Sequence, residues 1–290
     1  MIRRPPRSTQ SRSSAASDVY KRQPLVTARE DMDLLLNALY ELAGEVGAAA
    51  IEIKTCAGAE TLAGRSLRQV NRFMHHCLKL DRPVETLKSN FHRSVRYCLK
   101  RSEKIGLITR NGDQRQDLRI FYDAYVSTRK RLGLPPQPYR FFECLRREFG
   151  PSGRLRILFA QHGRKDIASM LLLQFGRRVL WEAIGEYQGS RTLNVAHFLV
   201  WQAIQQSCTD GYSVFDFGRT STENQGLMDF KRRWGTQVTD LPEFHSKRQV
   251  HPFMNNGVRT RAYTITRAIT RRLPEKAVAL IGELCYRHMG

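Results

Sequence analysis

The stretch at residues 214–235, VFDFGRTSTENQGLMDFKRRWG, decides how the rest of the chain is interpreted. Its β-branched and aromatic start predicts a buried strand, which Gly218 is expected to end. Polar residues that can cap a helix follow, and then come residues at the spacing of one helical face: Leu227, Phe230 and Trp234. A strand that leads through a loop into a helix presents unpaired backbone N–H groups to an anion. The cations at 231–233 suit a phosphate or a developing oxyanion beside them.

A family resemblance lies in this stretch. The run FDFGR at residues 215–219, followed by Gly226-Leu227, Phe230-Lys231 and Trp234-Gly235, resembles the second acyltransferase domain of Fem-like proteins. These are tandem GNAT-fold transferases that make peptide bonds on cell-wall precursors. The ending RRLPEKAVALIGELCYRHMG is similar to the tail of the Fem-related branch associated with exosortase and exopolysaccharide loci. The resemblance covers residues 34–290 and implies an α/β (α+β) fold, with one complete C-terminal GNAT domain preceded by the remaining part of a first one.

The N-terminal segment differs from the rest. Residues 1–23, MIRRPPRSTQSRSSAASDVYKRQ, are polar and basic without helical or strand period, which predicts disorder. The string resembles translated sequencing-adapter sequence, so we expect an artefact in place of native N-terminal sequence and exclude it from the fold. The expected division is then a partial N-terminal GNAT-like domain at 24–112, a complete C-terminal GNAT-like domain at 113–246, and a basic tail at 247–290 with a short amphipathic helix.

Hydrophobic periodicity predicts the elements. Helices are expected over 34–46, 84–104, 118–132, 139–149 and 194–208, and strands over 48–54, 71–80, 105–109, 155–161, 167–175, 179–187 and 237–241. The short spacing of the strands between 155 and 187 predicts an antiparallel meander. Mixed helices and strands in this order indicate an α/β or α+β unit.

Composition narrows the class of partner. The net charge of +21 over 290 residues favours a polyanion such as RNA, a diphosphate-linked substrate or an anionic membrane. A solvated basic surface with no specific partner remains the alternative interpretation of this charge.

No apolar run approaches the length of a membrane span, which is about 18 to 20 residues. The six cysteines form no CxxC pair, which argues against zinc or a redox dithiol and fits a cytoplasmic protein. A further basic run in the tail is a candidate RNA or lipid surface, with a solvated tail as the alternative: Arg259, Arg261, Arg267, Arg271 and Arg272.

Three residues are candidate catalytic groups. In the Fem pattern, the lysine of Phe-Lys is implicated in stabilising transition-state charge, and Lys231 occupies that position. A cation aimed at a forming oxyanion can contribute about 3 kcal/mol in a dry site. The alternative is an exposed lysine on an amphipathic helix. Asp216 is expected to orient Arg219 or to accept a proton from a substrate amine, with a structural ion pair or a helix-cap bond as the alternative.

Five residues are candidate substrate-binding groups. Asn194 is expected to cap its helix, and the resemblance places that helix start beside the donor or acceptor groove. Glu223 is expected in the first helical turn, where the helix dipole alone favours a carboxylate. The other three are aromatic: Tyr187, Phe230 and Trp234. No metal site is expected, because His75 and His76 are adjacent on a strand and point to opposite faces.

The sequence therefore predicts a Fem-like, GNAT-fold acyl- or aminoacyltransferase. It would form an amide on an amino-bearing glycan, peptidoglycan precursor or exopolysaccharide intermediate, without a bound cofactor. The resemblance implies aminoacyl-tRNA or acyl-CoA as the donor, and the absence of a clear Gly-rich pyrophosphate loop before the helix at 194 argues against acetyl-CoA. We expect a cytoplasmic location, with peripheral association at the inner face of the cytoplasmic membrane left open. DNA is not an expected partner. The alternative function is a non-catalytic RNA- or membrane-associated module of an envelope-assembly system.

Overall fold

The computed structural model describes residues 26, 28–48, 50–55, 59–62, 64–246 and 261–288. The predicted disordered leader at 1–23 and Arg259 of the tail lie outside these residues. Nine α-helices and eight β-strands are assigned within them. Among the helices they contain, none is both long and apolar enough to cross a membrane.

The first helix of the described residues packs on one edge of the sheet. Helix α1 (Arg29–Glu45) starts before the predicted residue 34, and its buried residues Met32 and Leu36 are one turn apart. They join Ile53, Leu62 and Phe244 in a small apolar cluster. Strands β1 (Glu52–Lys54) and β2 (Leu67–Lys79) follow, so β1 is shorter and β2 longer than their patterns predict.

The single helix predicted over 84–104 is wrong, because two helices occupy that segment. They are α2 (Val84–Asn90) and α3 (Arg93–Ile105). Phe91 between them is extended and enters the core, where its ring contacts Trp201 and Trp234 at centroid distances of 5.5 and 5.1 Å. His92 then caps α3 by accepting a hydrogen bond from the backbone N–H of Ser94.

The predicted antiparallel meander is confirmed. Strand β3 (Leu107–Asn111) precedes helices α4 (Asp117–Leu132) and α5 (Tyr139–Phe149). Strands β4 (Leu155–His162), β5 (Lys165–Phe175) and β6 (Arg178–Glu186) then pair in sequence order. Two-residue turns join them, and Gly163 and Gly176 supply the positive φ that such turns require.

The remaining elements follow the order that the sequence predicts. They are helix α6 (Val195–Thr209), strand β7 (Val214–Ser221), helix α7 (Gln225–Arg232) and strand β8 (Gln237–Ser246). After the undescribed residues 247–260 come α8 (Arg261–Arg272) and α9 (Glu275–His288).

One mixed sheet carries all eight strands, in the order β1-β8-β2-β7-β6-β5-β4-β3. Strand β2 lies between β7 and β8 and is antiparallel to both, while β3 pairs with β4. The strands of the predicted partial domain at 24–112 therefore share a sheet with those of 113–246. The parallel pair in this sheet is β6 with β7, and it covers three residue pairs.

The two faces of the sheet carry separate cores. One core packs residues of α2, α3 and α6 against the middle strands, with Val95, Leu99 and Leu199 fully buried. The other packs α4, α5 and α9 against β4 and β5. Helix α9 belongs to this second core because Val278 is fully buried. Helix α9, which follows the basic run at 259–272, packs against α4.

Candidate active site

A cleft opens where strands β6 and β7 separate. They pair in parallel from Arg178 to Leu180 and from Val214 to Asp216, and the parallel ladder ends there. Just beyond, Leu172 of β5 pairs with Trp181 while Leu171 pairs with Ala183, so one extra residue bulges out of β6. The bulge and the end of the ladder let the two strands diverge.

Strand β7 is also irregular next to the point where it separates from β6. Its pairing with β2 shifts register after Asp216, and Gly218 adopts a φ of +69°. The expectation that Gly218 ends the strand is wrong, because pairing resumes and continues to Ser221. Glycine is suited to this position because a left-handed conformation inside a strand strains any residue with a Cβ.

The cleft has a volume of about 390 Å³ and crosses the opening between the strands. Its walls come from helix α4, from both separated strands and from helix α7: Tyr125, Thr128, Arg129, Leu132, Gln137, Leu180, Trp181, Glu182, Ala183, Ile184, Phe217, Gly218, Arg219, Leu227 and Lys231. Two of the three predicted catalytic residues, Arg219 and Lys231, are thus brought to one cavity.

Lys231 is buried at the cleft wall, with only 4% of its surface exposed. Helix α7 starts after Asn224, whose side chain accepts from the backbone N–H of Leu227, and its buried face turns Lys231 inward. The ammonium donates to the carbonyl oxygens of Gly218 at 3.2 Å and Arg219 at 3.0 Å. Burial lowers the pKa of Lys231 to about 7, although Asp216 acts in the opposite direction. The alternative of an exposed lysine is therefore wrong.

Asp216 is fully buried and accepts hydrogen bonds at both carboxylate oxygens. Oδ1 accepts from His75 Nε2 at 2.7 Å and from the backbone N–H of Gly218 at 2.8 Å, while Oδ2 accepts from Arg178 Nη1 at 3.0 Å. These bonds tie β2, β6 and β7 together where the cleft begins. The guanidinium of Arg219 lies 4.4 Å from the ring centroid of Phe73 on β2.

Phe230 and Trp234 belong to an aromatic cluster beside the cleft. Trp234 is fully buried, and its ring stacks on His197 at 6.0 Å. Phe230 lies 6.2 Å from Trp181, which itself lines the cleft. Phe230 therefore supports the wall that Trp181 forms, and Trp234 lies in the core behind it. Burial lowers the pKa of His197 to about 4, so this ring is neutral at pH 7.

The other three predicted binding residues lie outside the cleft lining. Asn194 precedes α6 with a φ of +57°, but its side chain makes no capping bond, so that prediction is wrong. Its Nδ2 has no hydrogen-bond partner among the described residues. Tyr187 donates to the carbonyl of Ile120 at 3.2 Å. Glu223 is exposed and precedes the cap Asn224, so its expected place in the first helical turn is also wrong.

Sequence reasoning missed residues that the fold brings to this site. His75 and Arg178 hold Asp216, yet they lie 141 and 38 residues from it in the chain. No local pattern signals such partners, because the pairing of distant strands places them.

Comparisons with known proteins agree with this architecture. Residues 89–232 match the family described as "Acetyltransferase (GNAT) domain". No curated protein matches the chain. Among solved structures, the crystal structure of FemX has a TM-score of 0.62 at 16% identity, over 75% of this chain and 77% of that one.

Two other similar structures are described as lysylphosphatidylglycerol synthetases. The C-terminal domain of a putative enzyme from Agrobacterium fabrum has a TM-score of 0.54 at 15% identity, over 77% of this chain and 75% of that one. L-PGS from Bacillus licheniformis has a TM-score of 0.55 at 12% identity, over 82% and 78%. At these identities the likeness establishes the fold. The chain has the GNAT fold, and the predicted α/β class is confirmed.

Proposed function

We propose that the chain is an N-acyltransferase that transfers an acyl or aminoacyl group to an amine in the cleft between β6 and β7. The observation that carries this proposal is a buried lysine with a pKa lowered to about 7 at the wall of a cleft between diverging parallel strands. The match of residues 89–232 to the acetyltransferase family supports the reaction class.

The reaction needs an amine, an activated acyl carbon and stabilisation of the charge that develops. The nitrogen of the acceptor attacks the carbonyl carbon of an ester or thioester, and the carbonyl oxygen becomes an oxyanion. The C–O or C–S bond to the donor then breaks, and the nitrogen loses a proton. Positioning the two reactants in the cleft and stabilising the oxyanion lower the barrier without any metal.

Lys231 has the chemistry for the charge-stabilising role. In its ammonium form, which Lys231 keeps up to about pH 7, the side chain has three N–H donors, and the carbonyls of Gly218 and Arg219 accept from two of them. The third is available for an oxyanion in the cleft that Lys231 lines. Asp216, held by His75 and Arg178, serves as a positioning residue in this proposal, because it fixes the irregular part of β7 whose carbonyl oxygens hold Lys231.

The donor is aminoacyl-tRNA or acyl-CoA, and the surface charge favours the tRNA. Helix α3 exposes a row of cations with a single carboxylate among them: Arg93, Arg96, Lys100, Arg101 and Lys104. This row is close to α7, because the backbone N–H of His92 donates to the carbonyl of Arg233 at 2.9 Å. We propose an amino-bearing glycan or peptidoglycan precursor as acceptor, on the sequence motifs and the FemX-like fold. The same cations support the alternative of a non-catalytic RNA- or membrane-binding module.

The role of Lys231 is tested by comparing two variants in a transfer assay with each donor. Lys231→Met removes the cation from the cleft, and Arg232→Met removes the same charge from an exposed position one residue later. We expect Lys231→Met to lower kcat by about 100- to 1,000-fold, as loss of an oxyanion donor does. Arg232→Met should stay within about two-fold, since exposed charges contribute little. Equal activity of Lys231→Met and wild type would exclude the role.

The donor is identified by thermal unfolding in the presence of acyl-CoA, charged tRNA or uncharged tRNA. A ligand at about 100 times its dissociation constant adds about 2.7 kcal/mol to the free energy of unfolding. A shift with acyl-CoA indicates a thioester donor, and a larger shift with charged than with uncharged tRNA indicates an aminoacyl donor. Equal shifts with both tRNAs and no transfer would favour the binding module over the enzyme.

A further inference from the structure

Three side chains of the types that bind metal ions lie close together near the β1 edge of the sheet, away from the cleft. Glu243 and His245 are two apart on β8, so they lie on the same face. Glu52 of β1 is directly opposite His245 in the register of this pair. One ligand atom from each residue lies within 4.8 Å of the others. Strand β2 separates β8 from β7, so this cluster is distinct from the candidate active site.

Two of the three side chains are buried with a polar atom unsatisfied. His245 is 1% exposed and Glu243 is 3% exposed. Nε2 of His245 and Oε2 of Glu243 have no hydrogen-bond partner among the described residues. These two atoms are 3.8 Å apart, which is too long for a hydrogen bond between them. Buried polar atoms without partners are rare and costly, so a pair of them facing each other requires an explanation.

The spacing of these atoms suits a metal ion. Nitrogen and oxygen ligands lie about 2.0 to 2.2 Å from zinc, so neighbouring ligands in a tetrahedral site are about 3.3 to 3.6 Å apart. The separation of 3.8 Å between Nε2 and Oε2 needs only a small side-chain movement to reach that range. One imidazole and two carboxylates form a donor set that divalent transition metals accept, and they leave a fourth position for water.

The charges of the cluster also favour a bound metal cation. Two carboxylates and an imidazole lie within ligand distance of one another, and a neutral imidazole nitrogen can donate a lone pair to a metal ion. Lys54 lies 3.2 Å from Glu52, and Arg72 lies 4.0 Å from Glu243. These cations offset the carboxylates in part, but neither donates to Nε2 of His245, because that acceptor has no partner among the described residues.

We propose that Glu52, Glu243 and His245 bind one divalent transition-metal ion of the zinc type. The ion would fasten the three-residue edge strand β1 to β8, which carries the other two ligands. The ion would coordinate Nε2 of His245 and Oε2 of Glu243, the two buried atoms without hydrogen-bond partners among the described residues. It would also neutralise the carboxylates of Glu52 and Glu243. The role is structural, because the site lies two strands away from β7.

Metal titration of the chelator-treated full chain tests this proposal. Zn²⁺ binding is measured by calorimetry, and Co²⁺ serves as a spectroscopic probe that separates thiolate from nitrogen and oxygen ligands. We expect one equivalent of tight binding and a Co²⁺ spectrum without thiolate charge transfer. Binding that carries a thiolate band would place the ion on the cysteines and overturn the proposal, as would the absence of binding.

Ligand variants make the assignment specific. Glu52→Gln should weaken Zn²⁺ binding about 10-fold or more, and His245→Gln about 100-fold. Glu103→Gln and His92→Gln are matched controls at exposed positions and should leave the affinity unchanged. Glu52 is partly exposed on the edge strand, so Glu52→Gln keeps both buried ligands and the fold. Wild-type affinity in both ligand variants would overturn the site.

Discussion

At the scale of the residue, Lys231 combines its proposed catalytic role with a buried position that is unfavourable for folding. A buried ammonium is stabilised by the carbonyls of Gly218 and Arg219 and by the field of Asp216, yet its pKa is still lowered to about 7. Desolvation therefore outweighs these favourable interactions. Residues that reduce stability in this way persist where the reaction requires them, which agrees with a place in the active site.

The lowered pKa of Lys231 predicts how stability depends on pH. The unfolded chain binds this proton up to about pH 10.5 and the folded chain only to about pH 7, so the free energy of unfolding rises with pH between these values. Each pH unit within that interval contributes about 1.4 kcal/mol, so the rise from pH 7 to 10 is on the order of 4 kcal/mol.

Urea unfolding at several pH values checks this expectation. Lys231→Met should be more stable than the wild type at pH 7, by at least about 1 kcal/mol, and should lose the rise between pH 7 and 10. Arg232→Met should keep the wild-type dependence, because Arg232 is exposed. Parallel curves for wild type and Lys231→Met would contradict the lowered pKa.

The sequence indicated Lys231 as a candidate catalytic residue but could not establish that its side chain is buried. The pattern of Leu227, Phe230 and Trp234 fixes a helical face, and a lysine beside that face is equally compatible with an exposed position. Lys231 is buried because the widened opening between β6 and β7 receives it. The cluster of Glu52, Glu243 and His245 was beyond sequence reasoning for a similar reason, since about 190 residues separate its two strands and only their register unites them.

At the scale of the element, local patterns predicted most helices and strands, and errors arose where tertiary contacts interrupt a pattern. Phe91 continues the helical spacing of Val95 and Leu99, which is why the pattern predicts one long helix. Its ring contacts Trp201 and Trp234 instead, and this packing breaks the helix at that point. Strand order was not predictable, because β2 pairs with β7 and β8 far away in the chain.

Helix α9 provides a prediction about the segment that the sequence assigns to a tail. A Cβ added at Gly282 would lie less than 3.0 Å from the carbonyl oxygen of Pro136. We expect Gly282→Ala to destabilise the fold by about 1 to 3 kcal/mol, because α9 cannot move away without opening the core around Val278. Urea or thermal unfolding measures the effect.

The matched control is a second helical glycine. Gly44 is exposed near the end of α1, and a Cβ there would meet nothing within 4 Å. Gly44→Ala should be neutral or stabilising by up to about 0.5 kcal/mol, since alanine is the better helix former. If Gly282→Ala were equally harmless, α9 would not be packed on the loop that contains Pro136.

At the scale of the whole molecule, the described part of the chain has exposed cations on both faces of the sheet. Helix α3 carries Arg93, Lys100 and Arg101 on the face where α7 also packs. Exposed cations of α8 and α9 lie with α4 on the opposite face, where Arg267 donates to the carbonyl of Leu132. The cleft beside Lys231 is lined from both faces, and α3 adjoins α7 with a dense row of exposed cations, so we expect a polyanion whose reactive end enters the cleft to use α3.

Two triple variants that remove equal charge distinguish a docking surface from general basicity. The α3 variant carries Arg93→Gln, Lys100→Gln and Arg101→Gln, and the control carries Arg271→Gln, Arg272→Gln and Lys276→Gln, all at exposed positions. Each lost contact with a single-stranded phosphate should reduce the slope of log K against log salt by about 0.7, so the α3 variant should lose about 2 in slope. The control should lose less than about 1, because its positions at the end of α8 and the start of α9 lie outside the cleft lining and away from α3. Fluorescence anisotropy with tRNA over a range of salt concentrations provides both slopes. Equal losses in the two variants would mean that tRNA responds to net charge alone, and α3 would then have no special part in donor binding.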